Sequence, residues 1–418
     1  MSSINPFSIS DPGGVAKFGQ SGFSCSARIL KVLKKLSARK VLLKLHLYIS
    51  LWLGAFLVFA GLTGSLLVYE HALDKWLNSE LMLITNPGQQ SKPLADLIAA
   101  ADRVSPIKAP AAHLQMPSTP EEALIVRYQV PMEANHKGHN HHFHEVMINQ
   151  YTGQVLGDRD RFDSVMSIIL RLHFNLLAGD TGQLLMGITA LLSLILTVSG
   201  IYLWWPKLSK LKQAFVIKPN ASFTRFNFDL HKTVGIYTAV VLFAVSLSGV
   251  YFNLPQLFRP VVNYFSPLDG MSPPVKSEAS MGDRLNPETV ISLAHAVIPG
   301  IEVQRVFLPA SADAAYQISG RQADELRSKG ATMIWFDQYT GKVLKLKDPK
   351  QFTAGNAFIN LQLPLHNGEI LGQTGRILVL IVGYAPLVLM ITGVIHWLKK
   401  RHSTQIRKSR AKVIIKDI

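Results

Sequence analysis

The sequence predicts an integral membrane protein: a four-helix transmembrane bundle made from a duplicated half, with one α+β domain outside the membrane in each half. Three observations carry that expectation. Four apolar stretches, 45–69, 184–205, 233–254 and 377–398, approach the roughly 20 residues needed to cross a bilayer, and none contains Lys, Arg, Asp or Glu. Basic residues crowd 28–44, 207–225 and 399–416, while the long segments after the first and third stretches mix acids and bases. The third observation is a repeat. His46 precedes Gly64 by 18 residues, and His231 precedes Gly249 by the same 18. His173 is followed by Gly179, Gly182, Gly200 and Trp204 at the same four offsets at which Gly372, Gly375, Gly393 and Trp397 follow His366.

Taken in order, a basic segment at 1–43 is expected in the cytoplasm, with its first 27 residues disordered. The first span follows at 44–70. It is too long for the apolar region of a cleaved leader and lacks a small-residue cleavage site, so it should remain as an anchor. A soluble domain occupies 71–162, an outer histidine segment and second span 163–206, and a basic cytoplasmic loop 207–228. The third span at 229–257, a second domain at 258–364, a histidine segment with the fourth span at 365–398 and a basic tail at 399–418 complete the chain. The alternation of charge follows the positive-inside rule, with both termini cytoplasmic. A formal net charge of +16 therefore reads as topology and contact with anionic lipid, and no nucleic-acid partner is expected. The only cysteine, Cys25, excludes a disulfide framework, an intrinsic iron–sulfur site and thioether haem attachment.

Each soluble segment carries a hairpin signal. Gln150-Tyr151-Thr152-Gly153 and Gln338-Tyr339-Thr340-Gly341 are each followed by x-Val-Leu and flanked by alternating apolar residues. Upstream, helical spacing over Leu94–Val104 and Pro287–Val297 follows Pro93 and the pair Asn286-Pro287 as start signals. Each segment should be a small helix-plus-sheet domain.

These motifs resemble the PepSY-associated transmembrane proteins. The likeness covers roughly 40–400 and rests on Leu45-His46-Leu47-Tyr48, Thr63-Gly64, Asp229-Leu230-His231-Lys232-Thr233-Val234-Gly235, the run from Pro364 to Gly372, Thr392-Gly393-Val394-Ile395-His396-Trp397 and the two Tyr-Thr-Gly hairpins. The family includes iron-regulated inner-membrane proteins, among them haem-containing siderophore reductases similar to ferrioxamine reductase. The resemblance implies two PepSY-like domains on the periplasmic side. It further implies haem b held by histidine, a ferric siderophore as substrate and an inner-membrane location. Some relatives carry an appended flavodoxin-like reductase domain. About 20 residues follow the last span here, so electrons are expected from elsewhere, either a quinol or a cytoplasmic reductase.

The spacing can be set against that expectation. Eighteen residues make five helical turns and about 27 Å, so His46 and Gly64 share a helix face, as do His231 and Gly249. The spans of His173 and His366 run the opposite way. Two stacked haems then fit, one near each membrane face, with imidazole as axial ligand and Gly64, Gly200, Gly249 and Gly393 allowing close approach of a flat macrocycle. The favoured pairs are His46 with His231 inside and His173 with His366 outside. His71 and His396 are reserve ligands without repeat partners, so the pairing stays open. The glycines also read as helix-packing residues. From His173 to Trp204 is longer than a bilayer core, so 179–182 should interrupt that helix, as 372–375 should in the other half. Lys44, Lys207 and Lys232 read as topology signals that could also meet haem propionates, and Trp204, Trp205 and Trp397 as interfacial belt residues.

A separate cluster, His136, His139, His141, His142 and His144, precedes the first hairpin strand and is absent from the second half. It could bind zinc, copper or nickel through imidazole, with Glu145 joining, or be a solvated loop. No catalytic acid, base or nucleophile stands out. The leading reading is a di-haem electron-transfer protein reducing ferric siderophore. Its rivals are a non-enzymatic scaffold or regulator that binds a peptide, and a metal-uptake accessory using the histidine-rich loop.

Overall fold

The computed structural model describes residues 38–131, 142–270, 273–278 and 282–416. The expected disorder at 1–27, Cys25, and His136, His139 and His141 lie outside the described residues.

The chain begins with α1 (Ala38–Leu67) and α2 (Glu70–Leu77), then α3 (Leu94–Val104). Four strands follow: β1 (His113–Gln115), β2 (Leu124–Gln129), β3 (Phe143–Ile148) and β4 (Val155–Asp160). Next come α4 (Val165–Asn175), α5 (Gly179–Trp204), α6 (Phe223–Asn253), α7 (Pro255–Phe265) and α8 (Pro287–Val297). Strands β5 (Glu302–Phe307), β6 (Tyr316–Arg321), β7 (Thr332–Phe336) and β8 (Val343–Lys347) precede α9 (Ala354–Asn367), α10 (Gly372–Val382) and α11 (Ala385–Lys416). The second half follows a similar element order, with α10 and α11 where the first half has α5.

Among the described residues, four stretches are long and apolar enough to cross a membrane: α1, α5, α6 and Glu369–Arg407, which takes in α10 and most of α11. They pack as a ring in which α1 touches α5 and α11, and α6 touches the same two. Helices α1 and α6 therefore face each other across a diagonal, as do α5 and α11. Midway along, Ser246 donates to Ser193 at 2.8 Å and ties α6 to α5 without burying an unpaired hydroxyl.

Within 377–398, where the sequence offers no break, the helix is interrupted at Gly383–Tyr384. Pro386 lacks an N–H, and Tyr384 N–H turns to Ile381 O, leaving the Leu380 carbonyl free. The Ser65 hydroxyl on α1 is shared between that carbonyl and its own Gly61 O, with Oγ 2.9 Å from each. The close pass requires small residues, because a Cβ on Gly61 would run into the Gly383 carbonyl.

The interruption after His173 falls earlier than 179–182. Helix α4 ends at Asn175, and Leu176 and Leu177 both take left-handed backbone, with φ of 55° and 56°. Two leucines in that region store strain that packing must hold. Gly182 then packs on the Asn175 carbonyl, where a Cβ would collide. In the other half the turn is centred on Gly368 and Gly372, both left-handed, and Gly375 packs on the Gly368 carbonyl in the same way.

Both expected hairpins form, β3–β4 and β7–β8, and both expected helices occupy the residues read from the sequence. The two segments are not separate sheets, however. β1 pairs with β5, giving one antiparallel sheet ordered β4-β3-β2-β1-β5-β6-β7-β8. That pairing removes two edges that would otherwise expose unpaired backbone groups. Leu114, Val126, Val146, Val306, Ile318 and Ile334 form one face of the sheet and are fully buried with α3 and α8. Side chains of this size contribute about 1.5–3 kcal/mol each on burial. The halves also share a helix cap, since the Glu288 carboxylate accepts the Leu94 N–H at the start of α3, whose own N-cap residue, Pro93, makes no side-chain bond.

Candidate cofactor site

Of the places in the bundle where a hydroxyl residue directly precedes a glycine, four lie against a histidine: Thr63-Gly64, Ser199-Gly200, Ser248-Gly249 and Thr392-Gly393. Each pair receives one histidine from a neighbouring helix. His173 Nδ1 lies 3.0 Å from Thr63 Oγ1, and His46 Nδ1 lies 2.8 Å from Ser199 Oγ. In the second half, His366 Nδ1 lies 2.9 Å from Ser248 Oγ and His231 Nδ1 lies 2.9 Å from Thr392 Oγ1. The glycine beside each hydroxyl seats the ring. A Cβ at Gly64 would come within 2.9 Å of His173 Cε1, and at Gly200 within 3.4 Å of His46 Cε1. The corresponding figures are 3.5 Å for Gly393 to His231 and 3.9 Å for Gly249 to His366. Gly64 therefore makes room for the His173 ring, and the other three glycines touch imidazoles of the same half at ordinary contact distance, an arrangement their spacing along a single helix does not reveal.

The hydroxyls also decide which nitrogen carries the proton. Each has one hydrogen and donates it to its own helix: Thr63 to Phe59 O at 2.8 Å, Ser199 to Leu196 O at 3.0 Å, Ser248 to Ala244 O at 2.8 Å and Thr392 to Val388 O at 2.7 Å. The hydroxyl oxygen must then accept from the imidazole. A backbone group three residues before each hydroxyl also bonds the ring, Leu196 for His46, Ala60 for His173, Leu389 for His231 and Val245 for His366, where Val245 O lies 3.1 Å from Nδ1. All four rings are thereby fixed with the proton on Nδ1 and the lone pair on Nε2. Among the described residues no protein group bonds Nε2 of any of the four.

The four rings line one cavity of about 1060 Å³ that runs through the bundle and is walled by apolar helix faces. Its volume is comparable to the upper end of the roughly 300–1,000 Å³ of small-molecule sites. His173 and His366 meet at the sheet end, with ring centroids 6.0 Å apart. Two imidazoles sharing one metal ion through bonds of about 2 Å would also have centroids roughly 6 Å apart. His46 and His231 border the cavity at its other end, beside Arg39, Lys210, Arg225, Lys232 and Lys400. Among the described residues no ring contact like that of His173 and His366 joins them.

The reserve histidines also border the cavity. His71 sits at the sheet end with Nε2 3.5 Å from Glu122, which takes Lys75 at 2.6 Å as well. Hydrogen bonding from His71 holds the Glu122 carboxyl at about 2, against burial that would raise it, with Lys75 adding to the effect. His396 packs its ring 5.7 Å from Phe228 at the basic end. Of the three lysines singled out, Lys232 borders the cavity but is 3.0 Å from Asp229, while Lys44 and Lys207 do not line it. Trp204, Trp205 and Trp397 ring the basic end.

The histidine-rich cluster is described only at its C-terminal side. His142 Nε2 lies 2.6 Å from Asp160, and His144 Nε2 lies 2.8 Å from Asp158. Among the described residues no group of three or more His, Cys, Asp or Glu could hold a metal ion. Glu145 does not join these histidines. It points to the other face of the sheet, bonded to Arg127 at 2.7 Å, Arg159 at 2.9 Å and Arg161 at 3.3 Å. Burial alone would raise its pKa, but the three guanidiniums hold it at about 2.

A family model described as PepSY-associated TM region matches residues 43–400. No curated protein matches the chain.

Proposed function

The chain belongs to the PepSY-associated transmembrane family, and from that premise we propose that it is a di-haem electron-transfer protein of the bacterial inner membrane, reducing ferric siderophore on the periplasmic side. The observation that carries this reading is the His173–His366 pair, with ring centroids 6.0 Å apart and each Nδ1 committed to a hydroxyl. Such an arrangement orients two basic nitrogens before any metal arrives, which is how histidine ligands are held in metalloproteins. Its counterpart is His46 and His231, whose Nδ1 atoms are held alike at the basic end of the same cavity. Haem bound at the two levels would supply a one-electron relay across the bundle.

The residues around the relay have definable tasks. The basic end, with Arg39, Lys210, Arg225 and Lys400 on its rim, faces the cytoplasm in this reading and receives electrons from a quinol or a soluble reductase. The sheet end faces the periplasm, where a ferric chelate accepts one electron. Fe(III) becomes Fe(II), and hard oxygen donors hold the reduced ion less tightly. No side chain has to move a proton or form a bond.

The test is a visible spectrum of the full chain purified from haem-replete cells. Paired imidazole ligation gives a sharp reduced spectrum, and His173→Ala or His366→Ala should remove about half of it. Oxidation of the reduced protein by a ferric siderophore, faster than in buffer, completes the assignment. A colourless preparation would instead favour the scaffold or metal-accessory reading.

A further inference from the structure

Two short helices stand where the chain leaves the bundle on the sheet side. α2 follows α1 after two residues, and α7 follows α6 after Leu254 alone. Leu254 has φ −128° and ψ 52°, which is not helical, so the chain changes direction there. The two helices are counterparts in the repeat. Trp76 follows His46 by as many residues as Val261 follows His231, and Ala72 matches Leu257 in the same way. Protein holds one face of each. Asp74 on α2 is buried and takes Arg159 of β4 at 2.7 Å. On α7, Phe258 stacks on Phe358 of α9 with ring centroids 6.0 Å apart, and Ser266 just past its end accepts the Gly355 N–H at 2.8 Å.

The other face of α7 is bare. Leu257, Val261, Tyr264 and Phe265 follow one another at i, i+4, i+7 and i+8, so they share one side of the helix. They are 59, 60, 84 and 81% exposed, and none of them lines the cavity. On α2, Trp76 is 74% exposed, two residues from Asp74 and hence on the opposite side of the helix. A continuous apolar stripe of this kind is unfavourable in water. Its position shows what covers it. The apolar stretch 233–254 is about 33 Å long as a helix, against a hydrocarbon core of about 30 Å. Pro255 therefore begins α7 at the level where acyl chains give way to headgroups. Tyr237, Val240 and Phe243 of α6 are exposed outside the cavity, where the bilayer covers them, and that span runs into α7 after one residue. Amphipathic rings such as those of Tyr264 and Trp76 favour the same boundary.

We propose that α7, and α2 in the other half, lie in the sheet-side surface of the bilayer as lipid-binding collars. Leu257, Val261, Tyr264 and Phe265 on one, and Trp76 on the other, sink among lipids at the headgroup–acyl boundary. Amphipathic helices in this setting bury their apolar face about 5–10 Å deep. Lipid then grips one face of each helix, while the sheet or α9 grips the other. The two helices thereby fix the height of the sheet over the membrane. None of this depends on what the cavity binds.

Nitroxide labelling of the full chain tests this. Cys25 is the only cysteine, so Cys25→Ser gives a background in which single labels can be placed. Leu257→Cys, Val261→Cys, Phe265→Cys and Trp76→Cys probe the collars, at exposed sites where a label needs no repacking. Val240→Cys on α6 serves as the lipid reference and the exposed Arg103→Cys on α3 as the water reference. In vesicles of phosphatidylethanolamine and phosphatidylglycerol, collisions with oxygen and with a water-soluble nickel chelate are compared. The oxygen-to-nickel ratio at the collar labels should be several-fold above that of Arg103→Cys and approach that of Val240→Cys. A ratio equal to that of Arg103→Cys would place the stripe in water and overturn the proposal. Exclusion of both reagents would overturn it in favour of a protein cover, with spin–spin broadening marking that cover as a second copy of the chain. A Val240→Cys label that met the nickel chelate freely would remove the span itself, and the collars with it.

Discussion

His173 and His366 come from opposite halves of the chain, yet their ring centroids lie 6.0 Å apart, and each Nδ1 is engaged by a hydroxyl of a neighbouring helix. A pair poised in this way predicts an unequal outcome for substitutions at the two ends of the bundle. His173→Ala and His366→Ala should each abolish the same spectral component, since one imidazole cannot replace two axial bonds. His46→Ala should leave that component and remove the other. Reduced-minus-oxidised spectra of the three variants check this. Loss of both components in His173→Ala alone would point to a single site rather than two.

The hydroxyls make a second prediction. Thr63→Val keeps the shape of the side chain but removes the acceptor for His173 Nδ1–H, and Ser248→Ala does the same for His366. Outer-shell partners of histidine ligands are typically worth about 10–100-fold in affinity. Haem retention at the sheet end should therefore drop by about tenfold in either variant, with the basic end untouched. The midpoint potential of the sheet-end component should rise, because a less basic imidazole favours the ferric state less. Potentiometric titration distinguishes this from a loss of packing, which would lower content without moving the potential.

How much of this was open to sequence reading differs by feature. The spans were legible because a bilayer demands long uncharged stretches. The helices Leu94–Val104 and Pro287–Val297 were legible because proline and asparagine mark their starts. The four histidines could be singled out by their repeated offsets. The hydroxyl before each glycine stands in the same repeat and is just as visible, but its meaning depends on a contact between helices that run in opposite directions. The β1–β5 junction leaves no trace in the side-chain pattern, because backbone groups make it. Glu145 was misassigned for a related reason. It follows His144 directly, and alternation along a strand sends neighbours to opposite faces.

Acid should weaken the soluble domain in two steps. His113 is held at about 3 by burial and then by Arg127 and Arg305, so it is neutral when folded and protonates on unfolding. A depressed pKa contributes stability above the unfolded value, and this is lost as pH falls from about 6.5 towards 3. Glu145, held at about 2, adds a second loss between about 4.5 and 2. Thermal unfolding midpoints across pH 8 to 3 should therefore decline monotonically. His113→Gln should flatten the upper part of that decline. Glu145→Gln should lower stability at pH 7 by about 3 kcal/mol, because the buried Arg127 loses its carboxylate, while Arg159 and Arg161 keep Asp74 and Glu70.

The glycine seats predict a graded series. An alanine Cβ at position 64 would sit 2.9 Å from His173 Cε1, closer than real contacts allow, so the ring must move and carry Nε2 off its axis. At 200 and 393 the distances are 3.4 and 3.5 Å, ordinary van der Waals contact that leaves the ring in place. At 249 the imidazole is 3.9 Å away, but the Ala190 Cβ is at 3.2 Å, so the strain falls on the α5–α6 contact instead. Gly64→Ala should thus cost most of the sheet-end haem, and Gly200→Ala and Gly393→Ala should leave the basic end nearly unchanged. Gly249→Ala should lower thermal stability while sparing the sheet-end spectrum. If the glycines served only helix packing, the four variants would lose stability without regard to which imidazole lies nearest, and haem content would not follow the order of these distances.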